Sequence, residues 1–213
     1  MSKAILIIGE SGSGKTTAMR DLPPEETFYI DCDGKGLSWR GWRKAFNTEN
    51  KNYYRTDKAD KVLEALEKIN KEQTTIKYIV IDTLNAIMVA DEQRRSKEKN
   101  FDKWTDLAYS ILDIIKLSSR MREDLTVICI AHSQTEYTED GYIHTNMKTN
   151  GKKLNKVVPE SYFTSVLLAK HSDNGYVFEV HSKNSTAKTP MGAFDEDTIS
   201  NNIVDVIKIL EEY

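Results

Sequence analysis

The sequence has few of the features that mark secreted, fibrous or membrane proteins. It contains only two cysteines, and both Cys32 and Cys129 lie inside apolar runs, which predicts buried reduced thiols rather than a disulfide or zinc framework. Four prolines and ten glycines in 213 residues exclude a collagen-like or low-complexity chain. The longest apolar runs, such as residues 4–8, are too short to cross a bilayer, and no signal-peptide pattern begins the sequence. We therefore expect a cytoplasmic protein with no membrane partner.

The sequence also lacks an excess of positive charge. Thirty Lys and Arg stand against 33 Asp and Glu, a net charge of −3, so any nucleic-acid binding must depend on local basic segments. Hydrophobic residues make up 39% and charged residues 30%, which predicts a packed core. No repeat or linker interrupts the chain, and we expect a single domain over residues 1–213.

Short apolar runs alternate with helical patterns through most of the chain. This alternation predicts a parallel sheet covered by helices on both faces. The predicted strands are residues 4–8, 27–31, 78–82 and 125–131, and the predicted helices are residues 15–21, 58–70, 104–121 and 198–212. Residues 133–138 with 142–148, and 162–170 with 176–183, each flank a turn signal and predict two antiparallel hairpins. The expected fold is α/β, with a mostly parallel central sheet and C-terminal hairpins.

A phosphate-binding motif follows the first predicted strand. Residues 9–16 match G-x-x-x-x-G-K-[ST] at every fixed position, between an apolar strand and a predicted helix. In such a Walker A loop, backbone N–H groups surround the phosphates, the lysine reaches the β- and γ-phosphates, and the hydroxyl holds Mg²⁺. The predicted ATP-binding residues are Gly9, Glu10, Ser11, Gly12, Ser13, Gly14, Lys15, Thr16 and Thr17.

An acidic residue ends the third predicted strand. Asp82 follows four apolar residues at the carboxyl end of this strand, the position of a Walker B aspartate that binds Mg²⁺ through water. The predicted metal-binding residues are therefore Thr16 and Asp82, and the predicted cofactors are ATP and Mg²⁺.

Several classes of P-loop protein fit the rest of the sequence poorly. Asn155-Lys156 is followed by Val157-Val158, so the N-K-x-D element of a GTPase is missing. An AAA+ ATPase would have a helical lid after its sheet, and a nucleoside-monophosphate kinase would have arginine-rich lid segments. Two hairpins in this region argue against both classes.

The remaining pattern resembles the RecA-like ATPase core over about residues 3–188. In that family an acid after the second strand orients the attacking water, and Asp33 falls at this position, although the family has a longer glutamate there. A polar sensor ends the family's fourth strand, and His132 and Gln134 lie in that place. The resemblance thus implies catalytic roles for Asp33 and Gln134 beside Lys15 and Asp82.

Within this class, the chain looks most like compact bacteriophage ATP-binding proteins of the single-strand annealing and recombination type. The supporting runs are residues 9–16, 29–34, 81–84 and 130–132. The resemblance implies slow ATP hydrolysis in recombination, annealing or replication in a bacterial host cytoplasm. The implied partners are single-stranded DNA, copies of this chain in an oligomer or filament, and a single-strand-binding protein.

Basic residues supply candidates for these contacts. Arg94 and Arg95 precede the long helix, and either contact DNA or form a solvated helix face. A lysine segment, residues 147–158, either binds DNA phosphates or is an ordinary surface loop. Its lysines are Lys148, Lys152, Lys153 and Lys156. By the resemblance, Lys183 or Lys188 would reach the γ-phosphate of a neighbouring subunit; the alternative is a lysine-containing loop.

The sequence therefore predicts a Mg²⁺-dependent ATPase of the RecA-like class acting on single-stranded DNA. Two alternatives stay open. One is an assembly or switch ATPase with a protein partner and no DNA role, and the other is a small-molecule kinase.

Overall fold

The computed structural model describes residues 1–99, 102–137, 141–150, 152–173 and 175–213. Within these residues, nine strands form one sheet in the order β3-β2-β4-β5-β1-β7-β8-β9, with β6 paired to β5. The strands are β1 Lys3–Gly9, β2 Thr27–Asp31, β3 Tyr53–Arg55, β4 Tyr78–Asp82, β5 Thr126–Tyr137, β6 Ile143–Met147, β7 Ser165–Ser172, β8 Gly175–Glu179 and β9 Thr198–Ser200. The first six strands in this order run parallel, whereas β8, β9 and β6 pair antiparallel. The predicted mostly parallel sheet with C-terminal hairpins is confirmed.

Helices cover both faces of the sheet. They are α1 Trp42–Ala45, α2 Ala59–Glu72, α3 Leu84–Arg94, α4 Asp102–Ser118, α5 Lys152–Val157 and α6 Ile203–Leu210. Successive strand residues point to opposite faces, so Leu6 and Ile8 of β1 pack into the core that includes α2, α3 and α4. Ile5 and Ile7 pack into the second core, which includes α6. Central strands buried on both faces explain why these runs are continuously apolar.

The predicted helix after the phosphate loop is wrong. Residues 15–21 form only a 3₁₀ turn, Thr17–Met19, in which Met19 N–H donates to Thr16 O and Arg20 N–H donates to Thr17 O. A segment this short recovers too few hydrogen bonds to offset helix nucleation. Two prolines follow at 23 and 24 and prevent the chain from extending the turn.

Two predicted strands are one in the structure. Strand β5 runs without a break over Thr126–Tyr137 and includes most of both predicted segments. It pairs with β1 and β4 in its first half and with β6 in its second half, and residue 138 lies outside the described residues. Residues 139 and 140 of the predicted turn, and residue 174 of the next turn, lie outside the described residues. The pairing of β5 with β6 and of β7 with β8 nevertheless confirms both predicted hairpins.

The C-terminal helix begins later than predicted. Residues 198–200 form β9, and α6 starts at Ile203 after an N-cap in which Asn202 Oδ1 accepts from Val204 N–H at 3.0 Å. Asparagine is a preferred N-cap residue because its side chain satisfies a free backbone N–H. This residue marks the start of the helix better than the apolar spacing does.

The two cysteines are buried free thiols, as predicted. Burial raises the pKa of the Cys129 thiol to about 12, so it stays protonated near neutral pH. Among the described residues, no helix combines the length and the apolar character needed to cross a membrane.

Arg122 joins the end of α2 to the strands behind it. Its Nη1 donates to Ile69 O at 2.6 Å, and its Nη2 donates to Gln73 O at 2.9 Å and to Ile76 O. Its Nε pairs with Asp124 Oδ1 at 2.9 Å. One guanidinium thus satisfies the carbonyl oxygens that are left free where the helix ends.

We expect Arg122→Ala to destabilise the fold by about 2 kcal/mol, because several partly buried carbonyl groups would no longer have a charged donor. For a chain of this size, that change lowers Tm by roughly 4–8 °C. Arg120→Ala, an exposed arginine two residues away, is the matched control and should change Tm little. Equal melting temperatures for wild type and Arg122→Ala would show that this residue does not support the helix end.

Candidate nucleotide-binding site

The phosphate loop lies at the carboxyl edge of the sheet, directly after β1. Gly12 and Gly14 have φ angles of +80° and +91°, which L side chains rarely adopt. A Cβ at Gly14 would also lie 2.8 Å from the ring of Tyr176 on β8. Glycine is therefore required at position 14 by backbone conformation and by close packing together.

Lys15 lies inside the loop. Its Nζ donates to Gly9 O at 2.9 Å and to Glu10 O at 2.7 Å, and the residue is only 6% exposed. Burial lowers the pKa of the Lys15 ammonium to about 8, although the carboxylate of Asp82 acts in the opposite direction. The ammonium is thus held at the phosphate loop by carbonyl groups, and among the described residues it forms no direct ion pair.

Asp82 connects the loop to β4. Its Oδ2 accepts hydrogen bonds from Thr16 Oγ1 at 2.7 Å and from Tyr29 Oη at 2.6 Å. Burial raises the pKa of the Asp82 carboxyl, and the two hydrogen bonds partly offset that effect. The two predicted metal-binding residues, Thr16 and Asp82, are in direct contact.

The two acids that follow β2 differ in their contacts. Asp31 is buried and accepts hydrogen bonds from Gly34 N–H at 2.7 Å, from Gly36 N–H at 3.0 Å and from the Tyr53 hydroxyl. It therefore shapes the loop that follows β2. Asp33 lines a cleft beside the phosphate loop and pairs with Lys35 Nζ at 2.6 Å. Of the two, Asp33 is the acid that a bound nucleotide could contact.

These residues surround a cleft of about 450 Å³. Its lining residues are Ser11, Gly12, Gly14, Lys15, Thr16, Thr17, Asp33, Lys35, Gly36, Leu37, Ser38, Asp82, Thr83, His132 and Tyr176. In the sheet, β5 lies between β1 and β4, so His132 enters the cleft between the two Walker elements. Burial and the nearby Lys15 lower the pKa of His132, which favours its neutral form.

Gln134 lies elsewhere. Its Nε2 donates to Glu136 Oε1 at 2.9 Å, and it lines a separate cavity with His144 and Asn146. Of the two residues proposed for the sensor position, His132 therefore lines the cleft. The catalytic role predicted for Gln134 stays a prediction.

The predicted basic residues lie outside the cleft. The Lys183 side chain pairs with Asp197 at 2.8 Å, and the backbone of Lys188 pairs with that of Val166 in β7. Arg94 pairs with Asp57 at 3.0 Å, and Arg95 donates to Glu98 and Asp106, each at 2.9 Å. Lys148 and Lys156 are exposed, and the side chains of Lys152 and Lys153 lie outside what the structure describes.

Sequence reasoning missed three residues at this site. Tyr29 is fully buried in β2, and its hydroxyl needs a partner, which is a signal that could have indicated the contact with Asp82. Lys35 and Tyr176 reach the cleft from a loop and from a hairpin strand, and no local motif marks either one.

The residues present fit Mg²⁺ and a nucleoside triphosphate. The buried Ser13 hydroxyl in the phosphate loop has no hydrogen-bond partner in the described structure. A Cβ at Gly12 would meet no atom within 4 Å, so space adjoins the loop. Among the described residues, no group of three or more His, Cys, Asp or Glu could hold a metal alone, so Thr16 and Asp82 would share Mg²⁺ with phosphate oxygens and water.

The pKa of Lys15 predicts a pH dependence of nucleotide binding. Above pH about 8 the Lys15 ammonium deprotonates, whereas the ion pair with Asp33 raises the pKa of Lys35 above its ordinary value. We expect the affinity for Mg·ATP to fall by up to about tenfold per pH unit between about pH 8 and about pH 10, because the phosphates must bind protonated Lys15. Titration calorimetry at several pH values measures this slope.

Lys15→Arg is the matched control for this measurement. Its guanidinium stays charged throughout the range, so whatever its affinity, the slope should disappear. A flat profile for the wild type would contradict the role of Lys15, and so would an unchanged slope in Lys15→Arg.

The residues of this site lie within a segment that is similar to a known protein family. A family model described as an AAA domain matches residues 1–190. No curated protein matches the chain. The hairpins were expected to argue against an AAA-type ATPase, and the family match corrects this expectation, because both hairpins lie within the matched residues. This chain belongs to the AAA domain family of P-loop ATPases.

Proposed function

We propose that the protein is a RecA-like ATPase that hydrolyses ATP with Mg²⁺ and acts on single-stranded DNA. The main support is the path of β5. This single strand contributes His132 to the nucleotide cleft and continues to pair with β6. Strand β6 leads directly into the lysine segment, residues 147–158. A nucleotide site and a candidate DNA site are thus joined by two paired strands.

Different residues of this chain would have separate roles in hydrolysis at this cleft. Lys15 binds phosphate oxygens, and Thr16 and Asp82 would hold Mg²⁺, which neutralises the charge that develops on the phosphates. Tyr29 positions the Asp82 carboxylate by donating a hydrogen bond to it. Asp33, at the cleft wall, orients the attacking water and accepts its proton.

DNA binding would combine charge with stacking. Lys148 and Lys156 are exposed, and Lys148 directly follows β6. At the opposite end of the paired strands β5 and β6, Tyr137 is 79% exposed and Tyr142, which precedes β6, is 71% exposed. Lysines bind backbone phosphates, and tyrosine rings stack on bases of any sequence. Arg94 and Arg95 form ion pairs with carboxylates, so the lysine segment is the better candidate for the main contact.

Assembly would complete the catalytic site. Lys183 and Lys188 lie outside the cleft of their own chain, so a contact with the γ-phosphate would have to be made across a subunit interface. Such a contact stabilises transition-state charge as an arginine finger does. We propose a ring or filament, working in phage-type recombination, annealing or replication beside a single-strand-binding protein.

Asp33→Asn tests the assignment of the base. We expect nucleotide affinity near that of wild type and turnover lower by about 100-fold or more, because an amide cannot accept the proton. Asp113→Asn, an exposed carboxylate on α4, is the control and should leave turnover unchanged. Single-turnover hydrolysis at the wild-type rate in Asp33→Asn would mean that the base is another residue.

Alanine at Lys148, Lys152, Lys153 and Lys156 tests the DNA site. We expect weaker binding to single-stranded DNA and a flatter dependence of log affinity on log salt, by about 0.7 for each phosphate that the variant no longer binds. Alanine at the exposed lysines Lys44, Lys68, Lys71 and Lys208 makes the same change in net charge and should leave the slope unchanged.

The same titration separates the alternatives. Wild-type affinity and slope in the variant of the lysine segment would remove that segment from the DNA site. Absence of DNA binding by the wild type, even at low salt with ATP, would favour an ATPase with a protein partner. Phosphate transfer to a small molecule would favour a kinase.

Mixing variants tests assembly. A Lys183→Ala, Lys188→Ala double variant lacks the lysines that would act across the interface, and Lys15→Ala lacks the phosphate-loop lysine. Mixed together, they should recover part of the ATPase activity, because one interface then has both halves intact. No recovery, together with a monomer by light scattering and turnover linear in protein concentration, would contradict a shared site.

A further inference from the structure

Asn85 makes two hydrogen bonds that no motif predicts. It lies in the first turn of α3 and is 6% exposed. Its Oδ1 accepts from His132 N–H at 2.7 Å, and its Nδ2 donates to Lys148 O at 2.8 Å. A backbone N–H can only donate and a carbonyl can only accept, so the two partners determine the orientation of the amide.

A third hydrogen bond closes a ring. Lys148 N–H donates to His132 O at 2.7 Å, so each of the three residues is bonded to the other two. The ring joins α3, the middle of β5 and the start of the lysine segment. Leaving a buried donor or acceptor unpaired costs about 1–3 kcal/mol. Because separating any two of the three groups would break such a bond, the three groups are expected to move together.

The ring adjoins the nucleotide cleft. Asp82, Thr83 and His132 line that cleft. Thr83 is also the N-cap of α3, where its Oγ1 accepts from Ala86 N–H at 3.3 Å. A nucleotide in the cleft would therefore contact residues on two sides of the ring, namely the start of α3 and the end of the parallel part of β5.

We propose that Asn85 is a positioning residue that couples nucleotide occupancy of the cleft to the conformation of the lysine segment. A nucleotide that shifts His132 or the start of α3 shifts the Lys148 peptide through the ring. The coupling is reciprocal, so a ligand held by the lysine segment changes nucleotide affinity by the same factor. The inference rests on the proposed nucleotide site, whereas its test needs no DNA.

The lysine segment has a second anchor that serves as a control. Asn150 Nδ2 donates to Glu92 Oε2 on α3 at 2.9 Å. This bond holds the same segment to the same helix and is not part of the ring. Asn150→Ala therefore loosens the segment while the ring stays closed, which separates an effect on coupling from an effect on anchoring.

Hydrogen–deuterium exchange of residues 145–150 tests the proposal, with and without Mg²⁺ and a non-hydrolysable ATP analogue. For the wild type we expect the analogue to slow exchange at the Lys148 amide by about fivefold or more, the lower end of typical coupling factors. In Asn85→Ala the change should fall below about twofold, with nucleotide affinity still measurable by calorimetry. Asn150→Ala should keep the wild-type response.

Asn85→Asp provides a second variant should Asn85→Ala fail to fold. It keeps the acceptor for His132 N–H and removes the donor to Lys148 O, so the ring is open and the response should again disappear. The proposal is overturned if the analogue leaves exchange unchanged in the wild type, if either Asn85 variant responds as wild type does, or if Asn150→Ala removes the response equally. Failure to bind DNA would instead count against the proposed function alone.

Discussion

The hydrogen bond between Thr16 and Asp82 is the contact on which the site depends. It joins residues 66 positions apart in the sequence. Strand β5 pairs in parallel with both β1 and β4, so the phosphate loop and the end of β4 meet at one edge of the sheet. Asp82 is buried there, and Tyr29 supplies a second donor that helps to keep its carboxylate in place. This contact brings the two predicted metal-binding residues close enough to share an ion.

Strand β5 connects that site to β6 and the lysine segment. Its parallel half brings His132 between the Walker elements, and its second half pairs with β6. The backbone of His132 is bonded to Asn85 and to Lys148, so the same residue that lines the cleft is joined to the lysine segment. The arrangement provides a direct structural connection between nucleotide binding and the surface proposed for DNA.

The central strands of the sheet and the phosphate loop were predictable from the sequence because their signals are local, whereas the short edge strands β3 and β9 were missed. Continuous apolar runs indicate strands buried on both faces, and the spacing of glycine, lysine and threonine indicates the loop. Helix α3 was missed because its buried residues Leu84, Asn85, Ile87 and Met88 give no clean amphipathic stripe. The contacts of Asn85 depend on residues 47 and 63 positions away, so no local pattern could reveal them.

Calorimetric titration of Mg·ATP into the wild type and into Lys15→Ala tests the central claim most directly. The claim is that Lys15, buried in the phosphate loop, supplies the cation that binds the triphosphate. We expect saturable binding to the wild type and an affinity lower by at least about 100-fold in the variant, since a buried charged contact is worth roughly 3 kcal/mol. Equal affinities for a folded Lys15→Ala variant and the wild type would contradict the claim.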